Sequence, residues 1–261
     1  AHVGSKGGAL KKEGGLRVIS IVPSLTEALI LLGGQSMLVG RTRFCTHPAF
    51  ALRRVPTLGG TKTPELEAIL SLRPDIVLAS EDENRMEDVK KLTEAGLKAW
   101  VSKAETPLQA FFELGKLCDL LGLHDPKGLL NGAFQAYKGL QTRFRETRPV
   151  RTLCLVWKRP FMGVGLSTYA GSLMEVAGLK SCLKGRYPKL SIQEFLALEP
   201  ELVLLPDEPY PFGSSDLIEL RRTFERARKK VPLTRLFKGR NLFWPGLRAP
   251  LGFRELIGLL P

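Results

Sequence analysis

The chain has 261 residues, 44% of them hydrophobic and 25% charged, and 39 Lys and Arg against 26 Asp and Glu leave a net charge of +13. That apolar fraction excludes a disordered chain, and the length allows one large domain or two of about 120 residues. No run approaches the roughly 18 apolar residues that a membrane-spanning helix needs, which excludes an integral helical membrane protein.

The first fifteen residues, AHVGSKGGALKKEGG, are rich in Gly and Lys and read as disordered. Residues 17–23 (RVISIVP) form a β-branched run closed by proline, the signature of a buried strand. Ser24 then stands as a helix N-cap with Glu27 at capping-box spacing, and the helix stops at Gly33-Gly34. A second strand is expected over 37–42. Thr63 caps the next helix, with Pro64 at its first position. A strand over 75–80, a helix over 86–95, a strand over 98–102 and a helix over 108–121 complete a β/α alternation, the pattern of a parallel sheet covered by helices. Residues 126–146 then read as one long helix of about 30 Å. After Pro149 the rhythm restarts, with strands over 152–157, 202–206 and 241–244 and helices over 169–177, 192–198, 216–229 and 252–259.

The expected architecture is therefore α/β: two Rossmann-like lobes with central, mainly parallel sheets, joined by one long backbone helix, with a ligand cleft between the lobes. The boundaries fall at 1–15 for the disordered segment, 16–122 for the first lobe, 123–148 for the bridging helix and 149–261 for the second lobe. A weak internal echo supports the division. PELEAILSLRPDIVLAS (64–80) and IQEFLALEPELVLLP (192–206) both follow a helix, a Leu-(Arg/Glu)-Pro-(Asp/Glu) turn and a hydrophobic strand.

The densest basic runs, 221–230 and 143–151, carry apolar residues at helical or strand spacing and read as solvated faces. No DNA- or RNA-binding motif organises them, so no nucleic-acid partner is expected, and an anionic ligand or acidic protein is the remaining use of the charge. The four cysteines (Cys45, Cys118, Cys154, Cys182) form no CxxC pair. Cys118 and Cys154 lie in apolar periodic segments as buried thiols, which mildly favours a reducing compartment. The N-terminal segment has neither a hydrophobic signal core nor a lipid-anchor cysteine, so the compartment stays open from the residues, cytoplasm included.

No phosphate loop, HExxH or GxSxG is present, and the Gly163-Val164-Gly165 pattern lacks its third glycine. What remains is a set of loops at the carboxyl ends of strands, where open α/β sheets present ligands. The 23–27 loop with Ser24 reads as an anion cradle or as simple capping. In 43–48, Cys45 and His47 read as ligands to a soft metal or as part of a packed loop. Gly59-Gly60-Thr61-Lys62 and 81–85, with Asn84 and Arg85, read as ligand loops or as turns. In the second half, Trp157, Arg159, Phe161 and Tyr169 follow one strand, Glu208 and Tyr210 another, and Trp244 and Arg248 a third. Three clusters of aromatics and charge in proline-rigid loops point to a binding surface.

Taken in order, VISIVPSLTEALILLG, FCTHP, GGTKTPELEAILSLRPDIVLAS, ENR, VWKRPFMGVG…TYAG, LALEPELVLLPDEPYPF and FWPGLR resemble the helical-backbone (class III) substrate-binding proteins of ABC transporters. The resemblance is to their vitamin B12-binding-like branch, related to haem and ferric-siderophore receptors. It implies a non-catalytic, monomeric, extracytoplasmic receptor that carries cobalamin or cobinamide, haem or a ferric siderophore to a membrane permease. It further implies ligand contacts from Ser24, Phe44, Lys62, Asn84, Arg85, Trp157, Arg159, Phe161, Tyr169, Glu208, Tyr210, Trp244 and Arg248. Permease docking falls on Glu67 and, beside Gln193, on Glu194. The competing reading is a cytosolic metal-handling protein or enzyme using Cys45, His47 and Glu83.

Overall fold

The computed structural model describes residue 10 and residues 15–125, 128–143 and 148–259. The expected N-terminal disorder and the two ends of the expected long helix fall largely outside them. The chain divides into two compact units, 1–104 with 109–132 and 105–108 with 133–261.

The first unit runs β1 (Val18–Ser20), α1 (Pro23–Leu29), β2 (Leu38–Arg41), α2 (Ala49–Leu52), α3 (Leu66–Ser71), β3 (Ile76–Ser80), α4 (Met86–Glu94), β4 (Lys98–Ser102) and most of α5 (Pro107–Leu121). The unit boundary falls inside α6 (Leu129–Arg143). Its four strands are all parallel, in the order β2-β1-β3-β4. Ile19, Val77, Ala79, Ile69, Val89 and Leu92 pack between sheet and helices as one buried cluster. The run VISIV is apolar without alternation because a parallel strand is covered on both faces.

The second unit holds the rest of α6, then β5 (Val150–Lys158), β6 (Phe161–Gly163), α7 (Tyr169–Val176), β7 (Leu179–Ser181), β8 (Lys189–Leu190), α8 (Ile192–Ala197), β9 (Leu202–Pro206), α9 (Ser214–Arg226), β10 (Leu233–Phe237), α10 (Gly239–Phe243) and α11 (Ala249–Ile257). Strands β7, β5, β9 and β10 pair in parallel in the same order as the first unit's four. The antiparallel strand β6 pairs along the last residues of β5, and β8 pairs in turn with β6. Tyr137 of α6, 1% exposed, meets Phe253 of α11 edge-to-face at 5.8 Å, and burial pushes its phenol up to about 12.

The internal echo is a shared backbone device. Leu72 and Leu198, Arg73 and Glu199, and Asp75 and Glu201 are each 126 residues apart. Arg73 and Glu199 both take the left-handed conformation, with φ of 46° and 45°, just before a proline. Each turn is latched to the first strand of its own sheet. The Arg17 N–H donates to Asp75 Oδ2 at 2.8 Å, and its guanidinium Nη2 donates to the Leu72 carbonyl at 2.8 Å. The Arg151 N–H donates to Glu201 Oε2 at 3.0 Å and its Nη2 to the Leu198 carbonyl at 2.7 Å. The guanidiniums thus satisfy carbonyls at the ends of α3 and α8, where helix carbonyls lack partners. We expect Arg17→Ala and Arg151→Ala to lower the thermal unfolding midpoint by about 2–4 °C each, with the larger drop at low salt. Equal midpoints for wild type and variants in differential scanning fluorimetry would show that the latch is dispensable.

Several expected boundaries are corrected. The first helix begins at Pro23, with Val22 as its extended N-cap, so Ser24 lies inside the helix and forms no capping box. Proline is suited to the first helical position because its missing N–H has no intrahelical partner there. The helix after Thr63 begins only at Leu66, because the chain from Gly59 to Pro64 first closes a bridge in which the Gly60 N–H donates to the Thr63 carbonyl. The strand expected at 241–244 is instead helix α10, and the edge strand lies earlier, at β10. Asp207 Oδ1 accepts the Gly239 N–H at 2.7 Å, holding the start of α10, and the short aromatic run there mimicked a strand. Strands β6, β7 and β8 are two or three residues long and leave too short a pattern to be read in advance.

Candidate functional site

In the first unit the loops after the strands are tied from beneath by buried polar groups. Thr26 donates to Ser20 Oγ at 2.8 Å, and the Cys45 thiol lies 3.2 Å from Thr42 Oγ1. Arg41 Nη1 donates to the carbonyls of Thr42 and Cys45. Asn84 is the central tie: its Oδ1 accepts the Ser80 N–H at 2.8 Å, and its Nδ2 donates to the carbonyls of Ile21 and Thr61. One amide therefore fixes three loops, and both Asn84 and Ser24 are buried.

Above this layer the exposed groups are aromatic and cationic. Phe44 is 51% exposed, with the Arg43 guanidinium 5.1 Å from its ring centre, a cation–π arrangement. Gly60 passes beneath them so closely that a Cβ there would lie 3.1 Å from Arg43 Nη2 and 3.2 Å from the Phe44 ring. Lys62 donates to the Asp82 carbonyl at 2.9 Å, and partial burial pulls its ammonium below the ordinary lysine value against the pull of Glu83 and Asp82. Arg85 is exposed at the N-terminus of α4, and Glu67 is exposed on the first turn of α3. Phe50, 71% exposed on α2, and Arg43 were not among the expected contacts. The exposure of Phe50 could not be read from a sequence in which Phe is ordinarily buried.

In the second unit Trp157, the penultimate residue of β5, is 43% exposed and meets Tyr210 edge-on at 5.5 Å, and Tyr210 in turn leans on Phe212 at 4.6 Å. Phe161 stacks on the fully buried Phe195 at 4.8 Å, an internal support rather than an open face. Arg159 projects with its side chain 84% exposed. Glu208 is half-buried, and burial together with Asp207 raises its carboxyl above the ordinary value. A Cβ at Gly239 would lie 2.3 Å from Glu208 Cγ and 2.8 Å from its carbonyl oxygen, so only glycine lets the 207–212 loop sit where it does. Arg248 lies 5.4 Å over the Trp244 ring and donates to Asn241 Oδ1, which shares its side chain with Glu255. Trp244 and Tyr169, expected to wall a ligand, are 5% and 3% exposed and belong to the packed interior of this unit.

Glu194 closes a capping box with Ser191: its carboxylate accepts the Ser191 N–H and hydroxyl, both at 2.7 Å, and these bonds hold it below the usual carboxylate range. Cys45 is fully buried, and burial raises its thiol. His47 Nδ1 lies 3.0 Å from Thr46 Oγ1. Among the described residues no group of three His, Cys, Asp or Glu is placed to hold a metal ion. No described helix is long and apolar enough to cross a membrane.

Residues 18–98 match the family model described as periplasmic binding protein. The vitamin B12-binding protein of Photorhabdus laumondii is 23% identical over 194 residues, covering 73% of this chain and 70% of that one. The vitamin B12-binding protein of Vibrio cholerae is 22% identical over 205 residues, covering 76% and 72%. Among solved structures, the periplasmic vitamin B12 binding protein BtuF of Vibrio cholerae superposes with a TM-score of 0.77 at 18% identity over 93% of this chain and 95% of its own. The periplasmic heme-binding protein BhuT, in complex with two hemes, gives 0.75 at 24% identity over 94% and 97%. The fold is that of the periplasmic binding proteins. In sequence the chain is similar to vitamin B12-binding proteins, and in fold to periplasmic vitamin B12- and heme-binding proteins.

Proposed function

We propose that this protein is the substrate-binding component of an ABC-type importer and that it carries a cobalamin-like or iron-chelate ligand. The observation that carries this reading is the placement of exposed aromatic and cationic side chains at the strand carboxyl ends of both units, on a chain with this fold. Phe44 and Trp157 offer flat apolar faces of the size a planar macrocycle covers. Lys62, Arg85 and Arg159 offer charge to carboxylate or phosphate groups. Asn84 holds the loops of the first unit from below, and Ser24 sits at the buried start of α1.

The receptor would work outside the cytoplasm and hand its ligand to a membrane permease. Glu67 would meet that permease in one unit. In the other, Gln193 is the exposed counterpart, because Glu194 is already occupied by its cap. Nothing in the geometry favours the metal-handling alternative built on Cys45 and His47, since the thiol faces inward.

The test is a thermal-shift titration with cyanocobalamin, cobinamide, haemin and a ferric siderophore. A ligand that binds only the folded state raises the midpoint by mass action. One of the four is expected to do so. Phe44→Ala and Trp157→Ala should each weaken its binding by about tenfold or more, while Cys45→Ala changes it by less than about twofold. Absence of a shift with all four, or loss of binding on Cys45→Ala alone, would overturn the reading.

A further inference from the structure

The α9–β10 face of the second unit carries a charge distribution that the proposed ligand site does not use. Residues 226–240 contain seven Lys and Arg and no Asp or Glu. Lys229 pairs with Glu199 at 2.6 Å. Arg222, Arg226, Arg228, Lys230 and Lys238 form no ion pair with any described residue, and all five are exposed. Helix α9 buries Asp216, Leu220 and Phe224 and so turns Ile218, Arg222 and Arg226 outward, four residues apart along one stripe. Along the chain, exposed apolar groups alternate with these cations: Ile218 at 54% on the helix stripe, and Val231 at 37%, Leu233 at 43% and Leu236 at 43% from the loop into the edge strand, the two leucines on opposite faces of β10.

We propose that this face docks the protein on an anionic membrane surface, with acidic phospholipid headgroups as its partner. Three observations favour a lipid surface over an acidic protein segment. The cations spread along a helix stripe, its last turn and the loop into an edge strand, so they match an extended field of charge rather than one bidentate carboxylate. The interleaved Leu, Ile and Val side chains suit the headgroup–acyl boundary, where apolar residues gain burial beside cations that stay in the headgroups. The third concerns the edge of the sheet. Among the described residues β10 pairs only with β9, yet Arg235 folds over its open side and donates through Nη1 to the Thr234 carbonyl at 3.1 Å. A peptide adding itself as a further strand would need that carbonyl. Cations near an anionic surface each raise partition onto it by about fivefold, and the gain fades within a Debye length as salt rises.

The experiment is vesicle flotation of the whole chain with phosphatidylcholine alone and with about 30% phosphatidylglycerol, repeated from about 0.05 to about 0.5 M salt. Binding is expected only to the anionic vesicles, with release as salt rises. The variant R222Q/R226Q/R228Q/K230Q should lower the partition coefficient by about 100-fold or more. A control that removes the same charge elsewhere, R53Q/K90Q/K98Q/K180Q, should lower it by less than about fivefold. L233S/L236S should lower it further without changing the salt dependence. No binding to anionic vesicles, equal binding to neutral ones, or an equal loss in the control overturns the proposal. So does capture of an acidic peptide that the quadruple variant loses while vesicles are ignored, which would reassign the face to a protein partner. Circular dichroism and the melting midpoint of each variant show whether a loss reflects unfolding instead.

Discussion

Phe195→Ala is expected to lower the unfolding free energy by about 3–5 kcal/mol, the range found when a fully buried aromatic is truncated and its neighbours cannot close the gap. Phe195 is 0% exposed and sits between two aromatic partners, Phe161 stacked at 4.8 Å and Phe224 tilted at 5.3 Å. It also joins three layers: α8 carries it, β6 lies on one side and α9 on the other. Its loss should therefore loosen the β5–β6 hairpin that presents Trp157 and Arg159, so ligand binding should weaken along with stability. Phe195→Leu separates the two effects. It keeps most of the volume and should cost less than half as much. Chemical denaturation at fixed pH measures both, and a cost below about 1 kcal/mol for Phe195→Ala would mean that the layer repacks without it.

Lys158→Met should be the second large loss, about 2–4 kcal/mol near neutral pH. Lys158 ends β5 beside two exposed neighbours yet turns inward. Its side chain is 12% exposed, and its ammonium lies 2.6 Å from both Asp216 and Glu219, of which Asp216 is 10% exposed. Asp216 also accepts the Gly213 N–H at 2.8 Å, so the same carboxylate pins the start of α9. Methionine keeps the length of the lysine stem but leaves a buried carboxylate facing no cation.

The pH dependence has a definite sign. Hydrogen bonds to Asp216 and Glu219 raise the Lys158 ammonium above its ordinary value of 10.5. Burial works to raise Asp216, but the Lys158 ammonium and the Gly213 N–H outweigh it and hold the carboxyl below its ordinary 3.8. A depressed carboxylate stabilises the fold above its unfolded value, and that contribution is lost as pH falls through the folded one. A raised ammonium stabilises below its unfolded value, with loss as pH rises through the folded one. The gap between wild type and Lys158→Met should therefore be full between about pH 5 and pH 10 and narrow toward acid and strong alkali. A gap unchanged at pH 3 would show that Asp216 does not carry it.

These two side chains also mark where local reading stops. Lys158 stood in the sequence as one of two cations in a loop, indistinguishable from Arg159, although one is buried in an ion pair and the other is exposed. Which way each points depends on α9, some 60 residues later in the chain. Tyr169 and Trp244, both buried, pose the same problem. A large aromatic after a strand can face outward or inward, and the decision rests on α10 and α11, whose approach no short window records. Glu194 shows the converse. Its capping box with Ser191 is a local motif at three-residue spacing, yet the carboxylate was assigned to a partner because the helix start was not used to account for it.

What the sequence alone determined is the part of this protein governed by short-range physics. Continuous apolar runs marked β1, β3, β5 and β9, since a strand covered on both faces cannot alternate. Helices α4, α5 and α9 followed from their apolar spacing, and the repeated Leu-x-Pro-acid turn revealed two halves built on one plan. The motifs in their order also pointed to the vitamin B12-binding proteins that the chain is similar to in sequence. Only the tertiary structure decided which aromatics are open, which cation is buried, where the edge strand lies, and that each of the two turns is latched by an arginine of its own unit. Each of those depends on contacts between segments tens of residues apart, where burial and hydrogen bonding in the assembled fold outweigh what any residue prefers by itself.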